Sequence, residues 1–141
     1  MRAEIRHRCQ TVEECYEFML AYAAQGVVSE GGSRSGTPIR ESLQRAVDAL
    51  SGLADECVTV VTADPPDSVE KYLAFLAVLD RDARDAISAI ELVLAQPTIS
   101  SQLIDNLNAS IHLRAVLTDL FLLSDIATTR IRATNAPQLT K

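Results

Sequence analysis

Tryptophan is absent from this chain, and tyrosine and phenylalanine supply three residues each. Strands draw heavily on aromatic side chains, so their scarcity, beside abundant Ala and Leu, points to helix. Glycine and proline number five each, too few for the many tight turns of an all-β fold. The three cysteines (Cys9, Cys15 and Cys57) form an odd set with no framework spacing. That excludes a disulfide scaffold and suits a reduced, cytoplasmic protein that uses thiols as small hydrophobes. No uncharged apolar run approaches the ~18 residues of a membrane span. The charged opening residues, with no apolar stretch behind them, do not read as a secretory leader. An excess of positive charge is also missing, since the net charge is −6. Nucleic-acid binding, in which a basic face displaces counterions from the phosphates, is therefore not expected.

What is present fits one globular helical domain. Hydrophobic residues make up 48% of the 141 positions, enough for a core without metal or disulfides. The stretch from Leu113 to Ile126, LRAVLTDLFLLSDI, holds no Gly or Pro and is apolar around most of its circumference. A helix of that kind must be covered on most sides, by its own domain or by another chain.

Taken in order, residues 1–10 show no periodicity and are expected to form a flexible arm carrying Arg2, Arg6, His7 and Arg8. Thr11 with Glu14 reads as a capping box. It opens a short helix through Val12, Tyr16, Met19 and Ala23 that ends at Gly26. After a Gly/Ser-rich connection over 27–36, Thr37-Pro38 starts a long helix with a seam at Ile39, Leu43, Ala46, Leu50, Leu53, Cys57 and Val60. Gly52 is a weak point within it, and Asp64-Pro65-Pro66 stops it. Asp67 and Glu70 suggest a second capping box, followed by a seam at Val69, Leu73, Leu76, Asp80, Ala83, Ile87, Ile90 and Leu94. Pro97 closes that helix. Ser100 or Ser101 caps a last helix running to about Ala133, and residues 134–141 form a loose tail. The expected fold is all-α: an antiparallel up-and-down bundle of three long helices and one short N-terminal helix, with residues 11–133 as its single domain.

Two surfaces follow from this layout. The short first helix cannot cover the other three along their length. A homodimer is therefore expected, buried through Val116, Leu117, Leu120, Phe121, Leu122 and Leu123. Folding the long helices about Pro97 also brings Asp80, the single charge in its seam, level with His112 and Arg114, with Arg84 one turn on. A carboxylate in an apolar seam needs partners. The layer reads either as a salt bridge that fixes register or as a pocket for a small anion.

Other constellations are thin. The loop ending Arg34-Ser35-Gly36-Thr37 leads into a helix N-terminus, where amides can hold phosphate with Arg34 and Thr37 assisting. It lacks the Lys and the preceding strand of a P-loop. His7, Cys9, Cys15, Cys57 and His112 show no metal-ligand spacing, so neither a metal nor another cofactor is expected. Glu13/Glu14, Asp55/Glu56 and Asp82/Asp85 sit on polar faces or near caps. With no nucleophile motif, the sequence favours a small scaffold, adaptor or regulatory protein that binds another protein over an enzyme. The alternative is a small-anion or phosphometabolite binding protein using the Asp80 layer.

Overall fold

The computed structural model describes residues 3–31 and 36–135, with side chains described as far as residue 128. It is helical, with no strand among the described residues. The elements are α1 (Ala3–Ala24), α2 (Pro38–Leu50), α3 (Leu53–Ala63), α4 (Val69–Leu94), α5 (Ser101–Ala109) and α6 (His112–Asn135). One core joins them, and its fully buried members include Val12, Met19, Leu43, Leu53, Leu79, Ile90, Ile104 and Val116.

The first helix begins far earlier than the capping-box pattern suggests. Residues 3–10 belong to α1, and Ile5 is buried. The arm expected over residues 1–10 is therefore corrected to helix where it is described. Ile5 lies one heptad before Val12 and continues the same buried stripe. Thr11 sits mid-helix, its hydroxyl donating to the His7 carbonyl at 3.0 Å. Gly26, at φ 70°, ends α1 in the left-handed conformation that glycine allows.

Two of the three expected long helices are interrupted, while α4 runs unbroken. Gly52 stands at φ 78° between α2 and α3, so the weak point is a true break. Ser110 and Ile111 separate α5 from α6, and Ile111 holds a φ of 65°. No glycine marks this second break, and a β-branched residue in that region carries strain. Sequence periodicity passes smoothly through it. As expected, Ser100 caps α5 by accepting from the Leu103 amide at 3.0 Å. The last described residues of α6, to Asn135, overrun the start of the expected tail, whose remainder lies outside the described residues.

Helix ends are held by arginines from other helices. Neither α2 nor α4 has a basic residue in its last turn. Arg8 of α1 donates to the Ala49 and Ser51 carbonyls at 3.0 and 2.6 Å, closing α2. Arg40 of α2 donates to the Leu94 and Gln96 carbonyls at 2.7 and 2.8 Å, closing α4. Guanidinium groups there satisfy orphan carbonyls and meet the negative end of the helix dipole. These contacts place the start of α1 beside the end of α2, and the start of α2 beside the end of α4.

Arg40 also pairs with Glu30 at 2.8 Å, both side chains being largely buried. Glu30 takes further bonds from the Thr37 hydroxyl at 2.6 Å and the Ile99 amide at 2.9 Å. Burial alone would raise the Glu30 carboxyl, but Thr37, Arg40 and Ile99 together hold it below its ordinary 4.5. Next to this knot, Ser101 donates to the Tyr22 carbonyl at 2.6 Å and accepts from the Val27 amide at 2.8 Å. The connections 25–37 and 95–100 are thus sewn together.

Replacing Arg40 by Ala leaves Glu30 buried without its cation and frees the carbonyls of α4. Urea unfolding at pH 7 is expected to show a loss of about 3 kcal/mol. Because the folded value of Glu30 is lowered, its contribution is complete above about pH 4.5 and disappears as the pH falls through that lowered value. The difference between wild type and Arg40→Ala should therefore shrink in acid.

Candidate interaction surface

The phase of α4 decides which of the expected site residues come together. Its buried positions are Leu76, Leu79, Ala83, Ala86, Ile90 and Val93. The expected seam shares Leu76, Ala83 and Ile90 with this set but places Asp80, Ile87 and Leu94 where Leu79, Ala86 and Val93 are found. Both readings alternate three and four residues. The observed one buries apolar side chains at every step and turns Asp80 outward.

Asp80 consequently pairs with Arg84 of its own helix at 2.8 Å, on the surface. An exposed i,i+4 pair of this kind is worth only a few tenths of a kcal/mol, about 0.3–0.5. His112 and Arg114 are exposed, and the mid-domain layer of Asp80, Arg84, His112 and Arg114 is not assembled. None of these four lines the surface clefts beside Phe18 and Ile39, beside Ala23 and Gln102, beside Arg40 and Gln96, or beside Tyr16 and Phe121. Thr37 is buried at the N-terminus of α2 but gives its hydroxyl to Glu30 and makes no side-chain cap. Arg34 lies outside the described residues.

The polar pair between α4 and α6 is a different one. Asp119 faces Asp82, and burial first, then the hydrogen bond and charge of Asp82, push the Asp119 carboxyl up to about 7. One Asp119 carboxyl oxygen is buried with no conventional partner. Folding about Pro97 misses this level by about two helical turns, because α5 leaves α4 to pack chiefly on α1 and the chain returns to α4 only as α6. Asp119 was the signal in the sequence: it is a lone charge amid Val116, Leu117, Leu120 and Phe121.

Of the six positions expected at a dimer interface, Val116, Leu117 and Leu120 are buried in the chain's own core. That part of the expectation is corrected, since these side chains fill the space against α1 and α4. Leu123 is half-buried. Phe121 and Leu122 remain outside, 55% and 47% exposed, and Ile126 joins them. At about 100° per residue, Leu122 and Ile126 share the outward face, while Phe121 turns toward α1. There it borders a groove of about 380 Å³ with Leu117, Tyr16, Gln10, Glu13, Glu14 and Glu17.

The thiols show no sign of activation. Burial, then the nearby Glu13, pushes Cys9 up to about 11. Burial, then proximity to Cys9, does the same to Cys57. Cys15 is raised by burial, partly offset by a hydrogen bond with Ser42. Among the described residues no three His, Cys, Asp or Glu side chains gather into a metal-holding group, and no helix is long and apolar enough to cross a membrane. No family model, no curated protein and no solved structure matches the chain.

Two predictions follow from the titrating groups. A raised Asp binds its proton more tightly when folded, so stability is greatest below its unfolded value of 3.8 and declines as the pH rises to about 7. Asp119→Asn should therefore be more stable than wild type at pH 8 and nearly equal to it at pH 4, read as the difference in urea midpoints. For the thiols, Ellman's reagent at pH 8 is expected to react slowly with the native protein and rapidly after denaturation, since the thiolate is the nucleophile.

Proposed function

We propose that this all-helical domain, arranged as an antiparallel up-and-down bundle, serves as a small cytoplasmic scaffold, adaptor or regulatory protein. It acts by binding another protein and by associating with itself as a homodimer. The observation that supports this reading is the exposed apolar row of α6, in which Leu122 and Ile126 repeat one turn apart beyond a buried core. On α4, Leu73 and Val78 are also exposed. Large apolar side chains repeated along one helix face suit a helix-on-helix contact. Symmetric self-association is the most common way for soluble proteins to cover such a face. The anion-binding alternative draws on Asp80, Arg84, His112 and Arg114, and finds no support in their separate surface positions.

Light scattering at micromolar concentration is expected to give twice the 15.3 kDa chain mass. Leu122→Ser combined with Ile126→Ser should return it to the single-chain value with helicity unchanged. A wild-type monomer overturns the self-association, and failure to retain any protein from extracts of the native host would overturn the adaptor reading.

A further inference from the structure

The groove between α1 and α6 has a floor and a rim of different character. Tyr16 and Leu117 lie at its base, and Phe121 stands at its edge, more than half exposed. Glu13, Glu14 and Glu17 occupy the α1 side. No Lys or Arg is among the residues that line the groove; α1 carries none after Arg8, and the exposed Arg114 of α6 stands one turn before Leu117, outside the lining. Arg8 itself is engaged with Glu4 and the end of α2. Glu13 and Glu17 are one turn apart, a spacing at which like charges repel.

We infer that this groove is a docking site for a basic amphipathic helix of another protein. Its apolar side chains would lie on Tyr16, Leu117 and Phe121, and its Lys or Arg side chains would face Glu13, Glu14 and Glu17. Charge complementarity selects this partner. An apolar floor fits any hydrophobic segment, but a one-sided carboxylate rim repels acidic ones and favours cations. A second copy of the chain fits poorly, since its net charge is −6. A helix set in a groove reads partners at i, i+3, i+4 and i+7, which matches a contact running along α1 and α6. The inference rests on the reading of the protein as an interaction module. It uses Phe121 on the α1 side and leaves the outward Leu122 and Ile126 for self-association.

The test uses a fluorescein-labelled amphipathic peptide of Leu and Lys, roughly five helical turns long. Two companions are its twin with Glu in place of Lys and a scrambled peptide of the same composition. By fluorescence anisotropy, the full-length protein is expected to bind the ordered basic peptide at least about tenfold more tightly than the scrambled one. Phe121→Ser should weaken binding about tenfold or more, as should Glu13→Lys combined with Glu17→Lys. The charge-reversed protein should take up the acidic twin. Leu92→Ser, a change at an exposed apolar residue of α4, should have no effect. Equal affinity for the scrambled peptide, or indifference to Phe121→Ser or to charge reversal, overturns the inference. Light scattering of Phe121→Ser separates the two readings. If that change abolishes the dimer, the groove is occupied by a second copy and the basic partner is excluded, while the interaction function stands. An unchanged dimer is the expected result.

Discussion

The buried ion pair between Glu30 and Arg40 is the constraint on which the rest of the arrangement depends. The end of α4, with no basic residue in its own last turn, meets the start of α2 there, and two connections must be fixed. Arg40 supplies its guanidinium to the last carbonyls of α4 while Glu30 holds both that guanidinium and the Ile99 amide. A lone carboxylate in this place would be costly. Surrounded by donors it becomes a clamp, and its geometry sets how α2 lies on α4. Arg8 repeats the device at the other end of α2. The helices are therefore aligned by polar contacts at their ends, and the apolar core fills the space those contacts define.

That alignment determines what α6 can cover. Its inner face, with Val116, Leu117 and Leu120, is consumed by the core. Its outer and α1-facing sides are not, and there Phe121, Leu122 and Ile126 stay exposed. Apolar side chains left outside, beside a row of carboxylates, are the features on which the proposed role in recognition rests. The Asp82–Asp119 contact sets a carboxyl with a raised pKa inside the α4–α6 interface.

The helical class and most helix ends were legible in the chain. Gly26, the Thr37-Pro38 start, the Asp64-Pro65-Pro66 stop and the Ser100 cap are local devices with local causes, and each stands where its residues imply. The seam of α2 was also readable: Ile39, Leu43, Ala46 and Leu50 are all buried. The candidate site was much less so. On α4 two phases alternate three and four residues, and a helix can rotate between them without breaking periodicity. The choice falls to the phase that spares Asp80 from burial, a comparison of desolvation costs that requires both neighbouring helices.

The sequence by itself determined that this chain is helical, where several of its helices begin and end, and that one stretch is too apolar to be exposed all round. These follow from backbone donors, caps and side-chain composition, all of which act within a few residues. The tertiary structure alone decided that α1 reaches back to Ala3, that Ile111 breaks the last helix, and that Asp119 rather than Arg114 faces α4. It also decided which of the six apolar positions on α6 stay outside. Those outcomes depend on helix phase and on level, and both are set by contacts between residues tens of positions apart.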